Sequence, residues 1–474
     1  MTPRFPHQGA DRAQILADLT RSKAQDLPYD GRAYAFIYDA GAEQRDLARE
    51  AFGACMNING LDPTVFPSAR RLENFVVGAM LELLQAPEGA VGTATAGGTE
   101  SVLLAIKTAR DHARKHKPHI TDPKMLLPET AHACFHKGSH YFGVQMVPVR
   151  VDPVTFRADV ADARAKLTDD VVLIVGSAPS YAHGVIDPIE ELAALALEHG
   201  CLMHVDACVG GCVLPFLRDN GVDVAPFDFA VPGVTSISAD LHKYGFAPKG
   251  ISVILQRSAE LRESQYYACA RWSGYGIINA TTLGSKSVAA LGAAYAIMRS
   301  LGREGYQERA RRMWSATGDL CGAIEQLDGV RLLAKPDMNL FAFTTTDGDV
   351  FALSDRLNAR GWHVQPTYAF GASPAHIHLT LDPSNAGGAG ALAADLAACL
   401  VDLPPNQAPQ AQVVAMLSML GSGADLDATT LMGALGITDG QLPAESADIH
   451  RLINAAPPAV REQILKLFIG ELFS

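Results

Sequence analysis

The stretch VVLIVGSAPSYAHGVIDPIEELAALALEHGCLMHVDACVGG, residues 171–211, decides the fold. It opens on an apolar run at 171–177, crosses a loop marked by Pro and Gly, and enters an amphipathic helical stretch at 188–198. It closes on a second apolar run at 201–207. Two short apolar runs joined through a helix read as a βαβ unit with parallel strands. Their near-continuous apolar character suits strands covered by helices on both faces. Asp206 ends the second run and Tyr181 follows the first. Both therefore belong to the carboxyl edge of the sheet, where open α/β folds bind ligands.

The same alternation extends outward. KMLLP (124–128), VQMVPVRV (144–151), VTSISAD (234–240) and ISVILQ (251–256) read as further strands. Residues 99–117, 158–167 and 212–220 read as helices between them. Upstream, helices are expected near 11–23, 43–56 and 68–84; in the last of these Leu72, Phe75, Val76, Met80 and Leu83 recur at helical spacing. A long helix is expected at 285–300, then a smaller α+β region. That region contains VRLLAK (330–335), LFAFTTT (340–346), a helix near 354–360 and HIHLTL (376–381). LVDLPPNQAPQ (400–410) reads as a Pro-rich linker, and the last 60 residues as helices packed on the body. The expected organisation is an N-terminal segment (1–60), a large cofactor-binding domain (61–302) and a C-terminal small domain with a helical tail (303–474). A length of 474 residues suits several domains.

Composition narrows the partners. With 39 basic and 51 acidic residues the formal charge is −12, which argues against a nucleic-acid surface. No apolar run is long enough to span a bilayer, so no transmembrane anchor is expected. The N-terminus, MTPRFPHQGADRAQ, lacks the apolar core of a secretory signal. The eight cysteines form no CxxC pair, and Cys208 and Cys212 have no second pair nearby to complete a zinc site. No metal site is expected, and reduced cysteines fit a cytoplasmic protein.

Four features along the chain then fall into order. Gly97 and Gly98 precede Thr99 and a helix, an arrangement that offers unsatisfied N–H groups to an anion. His132 lies between a strand and a helix, Asp206 ends a strand, and Lys243 follows in SADLHKYGFAPKG (238–250). Each alone has a plainer reading as a turn, a loop residue, a cap or a solvated charge. Together they supply what pyridoxal 5′-phosphate requires: an anion cradle, a ring-stacking face, an acid for the pyridine nitrogen and an amine for covalent attachment.

GTATAGGTES (92–101), AHACFHKGSHYFG (131–143), residues 183–211 and FDFAVPGVTSISADLHKYGFAPKG (227–250) resemble the sphingosine-1-phosphate lyases. These are fold-type-I pyridoxal-phosphate enzymes related to the group II amino-acid decarboxylases. The resemblance runs from about residue 31 to at least residue 380. It implies an α/β transferase-like fold with a mostly parallel sheet flanked by helices and a smaller C-terminal α+β domain. It also implies retro-aldol cleavage of a phosphorylated sphingoid base to a long-chain aldehyde and phosphoethanolamine. Amino-acid decarboxylation is the alternative.

By the same resemblance, Lys243 bonds the cofactor, His132 stacks on its ring and Asp206 pairs with the ring nitrogen. Gly97, Gly98, Thr99 and His242 hold its phosphate. A homodimer with shared active sites is implied, with Gly284 and Ser285 reaching the neighbouring subunit's cofactor; Lys286 stands where relatives often have Arg. Tyr181 is expected to position or deprotonate the substrate hydroxyl, and Tyr38, Asn59 and Lys249 to bind the substrate. The family run Asn-x-Leu-His is here Asn59-Gly60-Leu61-Asp62. A carboxylate beside a phosphate would be repelled, so either Asp62 points away or the head group is not a plain phosphate.

Overall fold

The computed structural model describes residues 5–406 and 446–473. Expectations for the end of the Pro-rich linker and for part of the C-terminal helices fall on 407–445, outside the described residues. The large domain is built on β1 (Val91–Thr95), β2 (Lys124–Pro128), β3 (Gln145–Val149), β4 (Val171–Ser177), β5 (Leu202–Asp206), β6 (Ser236–Ala239) and β7 (Ser252–Gln256). Their spatial order is β1-β7-β6-β5-β4-β2-β3. Only β7 runs against the rest, antiparallel to both β1 and β6. The carboxyl ends of the other six strands therefore share one edge.

Three helices precede the sheet: α1 (Arg12–Ser22), α2 (Ala42–Cys55) and α3 (Pro67–Leu83). Those among and after its strands are α4 (Gly98–His116), α5 (Cys134–Phe142), α6 (Val160–Lys166), α7 (Ile189–His199), α8 (Leu214–Asp219) and α9 (Ala259–Gln265). The βαβ unit read from 171–211 is β4-α7-β5. Every residue of β4 is buried, as a strand covered on both faces requires. Gly200 closes α7 in the left-handed conformation, φ 68°. Pro148 is accommodated because β3 is an edge strand.

β1 escaped the sequence reading. VGTAT lacks the branched apolar run of the other strands, and it is held by close packing instead. A Cβ on Gly92 would come 2.6 Å from a Leu255 methyl and 2.8 Å from a Val77 methyl. Short elements were missed for a related reason: α9 and the hairpin of β8 (Tyr267–Cys269) with β9 (Ile277–Asn279) are too brief for periodicity to show.

The long helix expected at 285–300 is the first part of α10 (Ala289–Glu325), which begins a turn later and reaches Gly302; a second helical length follows. Gly302, with φ 56° and ψ −177°, breaks its direction where the helical pattern in the sequence stops. Beyond it, β10 (Val330–Leu332), β11 (Leu340–Thr345), β12 (Gln365–Thr367) and β13 (His376–Thr380) form an antiparallel sheet in the order β10-β11-β13-β12. With α11 (Val350–Ala359) and α12 (Ala389–Leu400) it encloses a second core around Phe341, Phe343, Leu353 and Leu379. Tyr34 of the N-terminal segment is part of that core. Its N–H donates to the His363 carbonyl (2.8 Å) and its carbonyl accepts from Thr380 (2.7 Å).

After the undescribed stretch, α13 (Ala447–Ala455) and α14 (Pro458–Leu472) return to this domain. The Ala447 N–H donates to Asp355 at 2.7 Å, and Arg451 pairs with Asp349. Asp349 also caps α11 through the N–H groups of Phe351 (2.8 Å) and Ala352 (3.0 Å).

The two domains touch at Gly184, whose carbonyl accepts from Asp337 N–H at 2.9 Å. Its φ is +73°, and a Cβ there would run into the Leu340 carbonyl oxygen. Gly184→Ala therefore meets both a forbidden conformation and rigid backbone. We expect it to destabilise the protein by about 3 kcal/mol or more. Gly143 shares the left-handed conformation, φ +66°, but faces open space, so Gly143→Ala should cost only about 1 kcal/mol. Denaturant unfolding midpoints of the two variants test the difference.

Candidate active site

The sheet edge opens into a cavity of about 550 Å³. It collects one loop from each of five strands. Gly97, Gly98 and Thr99 follow β1, His132 follows β2, Tyr181 follows β4, Asp206 ends β5, and His242 and Lys243 follow β6; all of them line the cavity. Eight expected site residues spread over 147 positions are thus brought to one place. Gly97 precedes α4, whose N-terminus has no side-chain cap. Its first-turn N–H groups stand at the cavity wall, where an anion can satisfy them. Glu100 serves the loop rather than the anion: it accepts from Ala96 N–H at 2.6 Å and from Thr282 N–H at 2.7 Å.

Lys243 makes the main electrostatic contact of the cavity. Its Nζ lies 2.9 Å from Asp240 Oδ2. Burial opposes charge on Lys243, but the Asp240 carboxylate outweighs it and holds the amine above its ordinary range. Burial opposes charge on Asp240 as well. Lys243, His242 and the Ser252 hydroxyl offset it and keep that carboxyl below the usual range. His242 Nε2 is 3.7 Å from Asp240, and its buried Nδ1 has no partner. Asp206 is turned elsewhere: its Oδ1 accepts from Cys208 N–H (3.0 Å) and the Ser238 hydroxyl (3.4 Å). His132 Nδ1 accepts from Cys134 N–H at 3.2 Å, which leaves Nε2 as the protonated nitrogen.

The small domain supplies part of the wall behind Tyr181. The Tyr181 hydroxyl donates to Gln365 Oε1 of β12 at 2.8 Å, and its ring lies 4.2 Å from that of His378 on β13. Burial raises the Tyr181 pKa, so the group stands as a neutral phenol. Two more buried imidazoles follow. His183 stacks on Phe156 at 4.1 Å and lies 5.7 Å from His376.

Not every expected residue joins the cavity. Lys249 and Tyr38 stand together beside it: the Lys249 ammonium lies 4.8 Å from the Tyr38 ring and donates to the His242 carbonyl at 3.1 Å. Gly284 and Lys286 instead line a second cavity with Gly60, Leu61 and Asp62. Asn59 turns inward on its own loop, accepting from Leu61 N–H at 3.0 Å, and its backbone bridges to Ser287. Asp62 is exposed and bonded to the Thr64 N–H (2.8 Å) and hydroxyl (2.6 Å). The Thr64 bonds hold its carboxyl below the usual range. Within this subunit Asp62 stands away from the Lys243 cavity and lines the second cavity with Gly284.

Sequence reasoning missed Asp240 and Gln365. Asp240 had a signal, since it follows β6 directly, much as Asp206 ends β5. Gln365 had none, because its partner is 184 residues away.

Comparison with known proteins bears on this arrangement. The pyridoxal-dependent decarboxylase conserved domain matches residues 4–346. The chain is 39% identical to the sphingosine-1-phosphate lyase of Arabidopsis thaliana over 376 residues, 78% of this chain and 68% of that one. It is 34% identical to the Drosophila melanogaster sphingosine-1-phosphate lyase over 434 residues, 90% and 78% of the two chains. This chain belongs to the sphingosine-1-phosphate lyase family.

The fold agrees. The solved sphingosine-1-phosphate lyase of Burkholderia pseudomallei superposes with a TM-score of 0.82 at 33% identity, over 89% of this chain and 97% of that one. The glutamate decarboxylase of Lactobacillus brevis, at 22% identity and a TM-score of 0.74, shares the fold alone. An HTH-type C-terminal domain of pyridoxal-dependent enzymes also matches residues 394–471. The fold expected from the sequence, a fold-type-I lyase with a mostly parallel sheet, is the one found.

The cofactor of this lyase family is pyridoxal phosphate, and the cavity fits it on its own evidence. It offers an uncapped helix N-terminus, an orphaned buried imidazole nitrogen on His242, a carboxylate on Asp206 and the amine of Lys243. Among the described residues no cluster suited to a metal ion occurs, and no helix is long and apolar enough to cross a membrane.

The buried imidazoles fix how the lyase responds to acid. Burial pushes His183 and His378 down to about 3, and His204 to about 4. In the unfolded chain each would take up a proton near its ordinary 6.5. The stability these neutral rings contribute is therefore present above that value and is lost as pH falls below it. Burial raises Asp187 and Asp382 to about 6, and these carboxyls act oppositely below that pH. The thermal midpoint should fall as pH drops from about 7 to about 5.5, because burial also depresses His112, His242, His363, His376 and His450, and the depressed imidazoles outnumber the two raised carboxyls. A midpoint that stays level across this range would contradict neutral burial.

Proposed function

We propose that this protein cleaves a phosphorylated sphingoid base by a retro-aldol reaction, releasing a long-chain aldehyde and phosphoethanolamine. One observation carries the reading. Lys243, Asp206, His132 and the Gly97–Thr99 loop surround one cavity in a chain with the family membership above.

Pyridoxal phosphate, when bound, supplies an electron sink for the pair released as the carbon–carbon bond breaks. The rest is the work of the chain. Lys243 would hold the cofactor covalently, Asp206 would keep its ring nitrogen protonated, His132 would cover the ring, and Gly97, Gly98, Thr99 and His242 would hold the phosphate. Tyr181, a neutral phenol tied to Gln365, positions the substrate hydroxyl rather than acting as a phenolate. Lys249 and Tyr38, paired beside Lys243, receive the substrate phosphate.

We further propose a homodimer. Asn59, Gly284 and Ser285 then serve a site formed with the neighbouring subunit. The separate cavity around Gly284 and the exposed Tyr267, Trp272, Tyr275 and Ile278 support this reading. A cytoplasmic location accords with the eight free cysteines.

The test is to incubate the cofactor-loaded protein with a phosphorylated sphingoid base and trap the aldehyde. Aldehyde with matching phosphoethanolamine is expected, and Lys243→Ala should abolish both. Carbon dioxide released from an amino acid, with no aldehyde, would establish decarboxylation instead. Lys249→Ala should raise KM by about 10- to 100-fold, the loss of one charged hydrogen bond, and change kcat less.

A further inference from the structure

Asp240 is the buried carboxylate in this cavity to which the cofactor chemistry above assigns no task. It is 2% exposed and sits among three functional groups. Oδ2 pairs with Lys243 Nζ at 2.9 Å and lies 3.7 Å from His242 Nε2. Oδ1 accepts from the Ser252 hydroxyl at 2.6 Å. Ser252 is bonded in turn to Ser101 (3.1 Å), and Ser101 to Thr95 (2.7 Å). This hydroxyl chain joins β7, α4 and β1, so three elements fix the carboxylate. Gly98 leaves room for it: a Cβ there would lie 2.6 and 2.7 Å from the two Asp240 oxygens.

We propose that Asp240 is a positioning residue for Lys243, the built-in counter-ion that holds the free amine charged and aimed into the cavity. The proposal rests on the assignment of Lys243 as the cofactor-bonding amine. Asp240 neutralises the ammonium of the free Lys243, while His242 Nε2 lies farther off at 3.7 Å, its imidazole kept neutral by burial. The other titratable groups facing Lys243 do not substitute. Burial raises the thiols of Cys134 and Cys208 and the phenols of Tyr38 and Tyr181, which keeps them neutral. Lys249 and His242 are bases, and Asp206 is turned to Cys208 and Ser238.

The experiment uses the full-length cofactor-free protein. Lys243 is labelled with trace acetic anhydride across about pH 6 to pH 11, and its acetylation is read by peptide mass spectrometry against exposed lysines. Asp240→Asn should move the labelling profile at least about one pH unit toward acid, a tenfold faster reaction near neutrality. Ser252→Ala, which keeps the carboxylate but releases Oδ1, should move it the same way by a smaller step. A natively folded Asp240→Asn protein with the wild-type profile overturns the proposal. If that variant does not fold, an unshifted Ser252→Ala profile overturns it. In parallel, pyridoxal 5′-phosphate followed by borohydride is applied to the wild-type protein. Failure to modify Lys243 there refutes the assignment of the cofactor lysine, separately from the ion pair.

Discussion

The polarity of the central sheet is the constraint from which the rest follows. Six of seven strands end at one edge, and each strand end can deliver one group there without distorting the strand. Carboxylates close β5 and lie just past β6, a glycine loop and an uncapped helix follow β1, and an imidazole follows β2. β7 is the exception that completes the site. By running backwards it begins at this edge, so Ser252, its first residue, can hold Asp240. A fully parallel sheet would have placed the start of that strand at the far end.

Packing against such an edge has an electrostatic consequence. A cradle for a phosphate dianion lies within van der Waals distance of the buried Asp240 carboxylate. Two like charges so close, away from water, are tolerated only with cations between or beside them. Lys243 stands there as the cation, 2.9 Å from Asp240, with the His242 imidazole at 3.7 Å. Asp240 and Lys243 thus form a charge-balanced pair, in which removing either leaves a buried charge of the opposite sign unpaired. The hydroxyl chain through Ser252, Ser101 and Thr95 adds neutral donors that stabilise the anion without adding charge.

The βαβ unit, the sheet class and most cavity residues were legible in the chain because their signals are local. A buried parallel strand must be apolar throughout, a helix must show its period, and a strand end followed by Asp, His or Lys marks the active edge. What was not legible depends on distant partners. β1 is a strand because Leu255 and Val77 close around Gly92. The helix expected at 285–300 stops at the non-helical Gly302, and the second helical length beyond it, to Glu325, was not read. Gln365 matters only through Tyr181, and Asp62 was read as a threat to a phosphate because its bond to Thr64 has no pattern in composition or period.

That last difference changes the argument about the head group. A carboxylate aimed at a phosphate would have excluded a plain phosphate ester. Within one subunit Asp62 is bound to its own turn and stands among the residues of the Gly284 cavity, away from Lys243. The remaining cation beside Lys243 is Lys249, held by the Tyr38 ring and the His242 carbonyl. Burial and the nearby Lys243 depress its pKa, so it is destabilised as a cation while no anion is present. A phosphate would relieve that penalty, and the stabilisation so gained is specific to a charged head group. An uncharged sphingoid base would bring no charge to pair with that ammonium. On the proposed reading, head-group discrimination rests on Lys249.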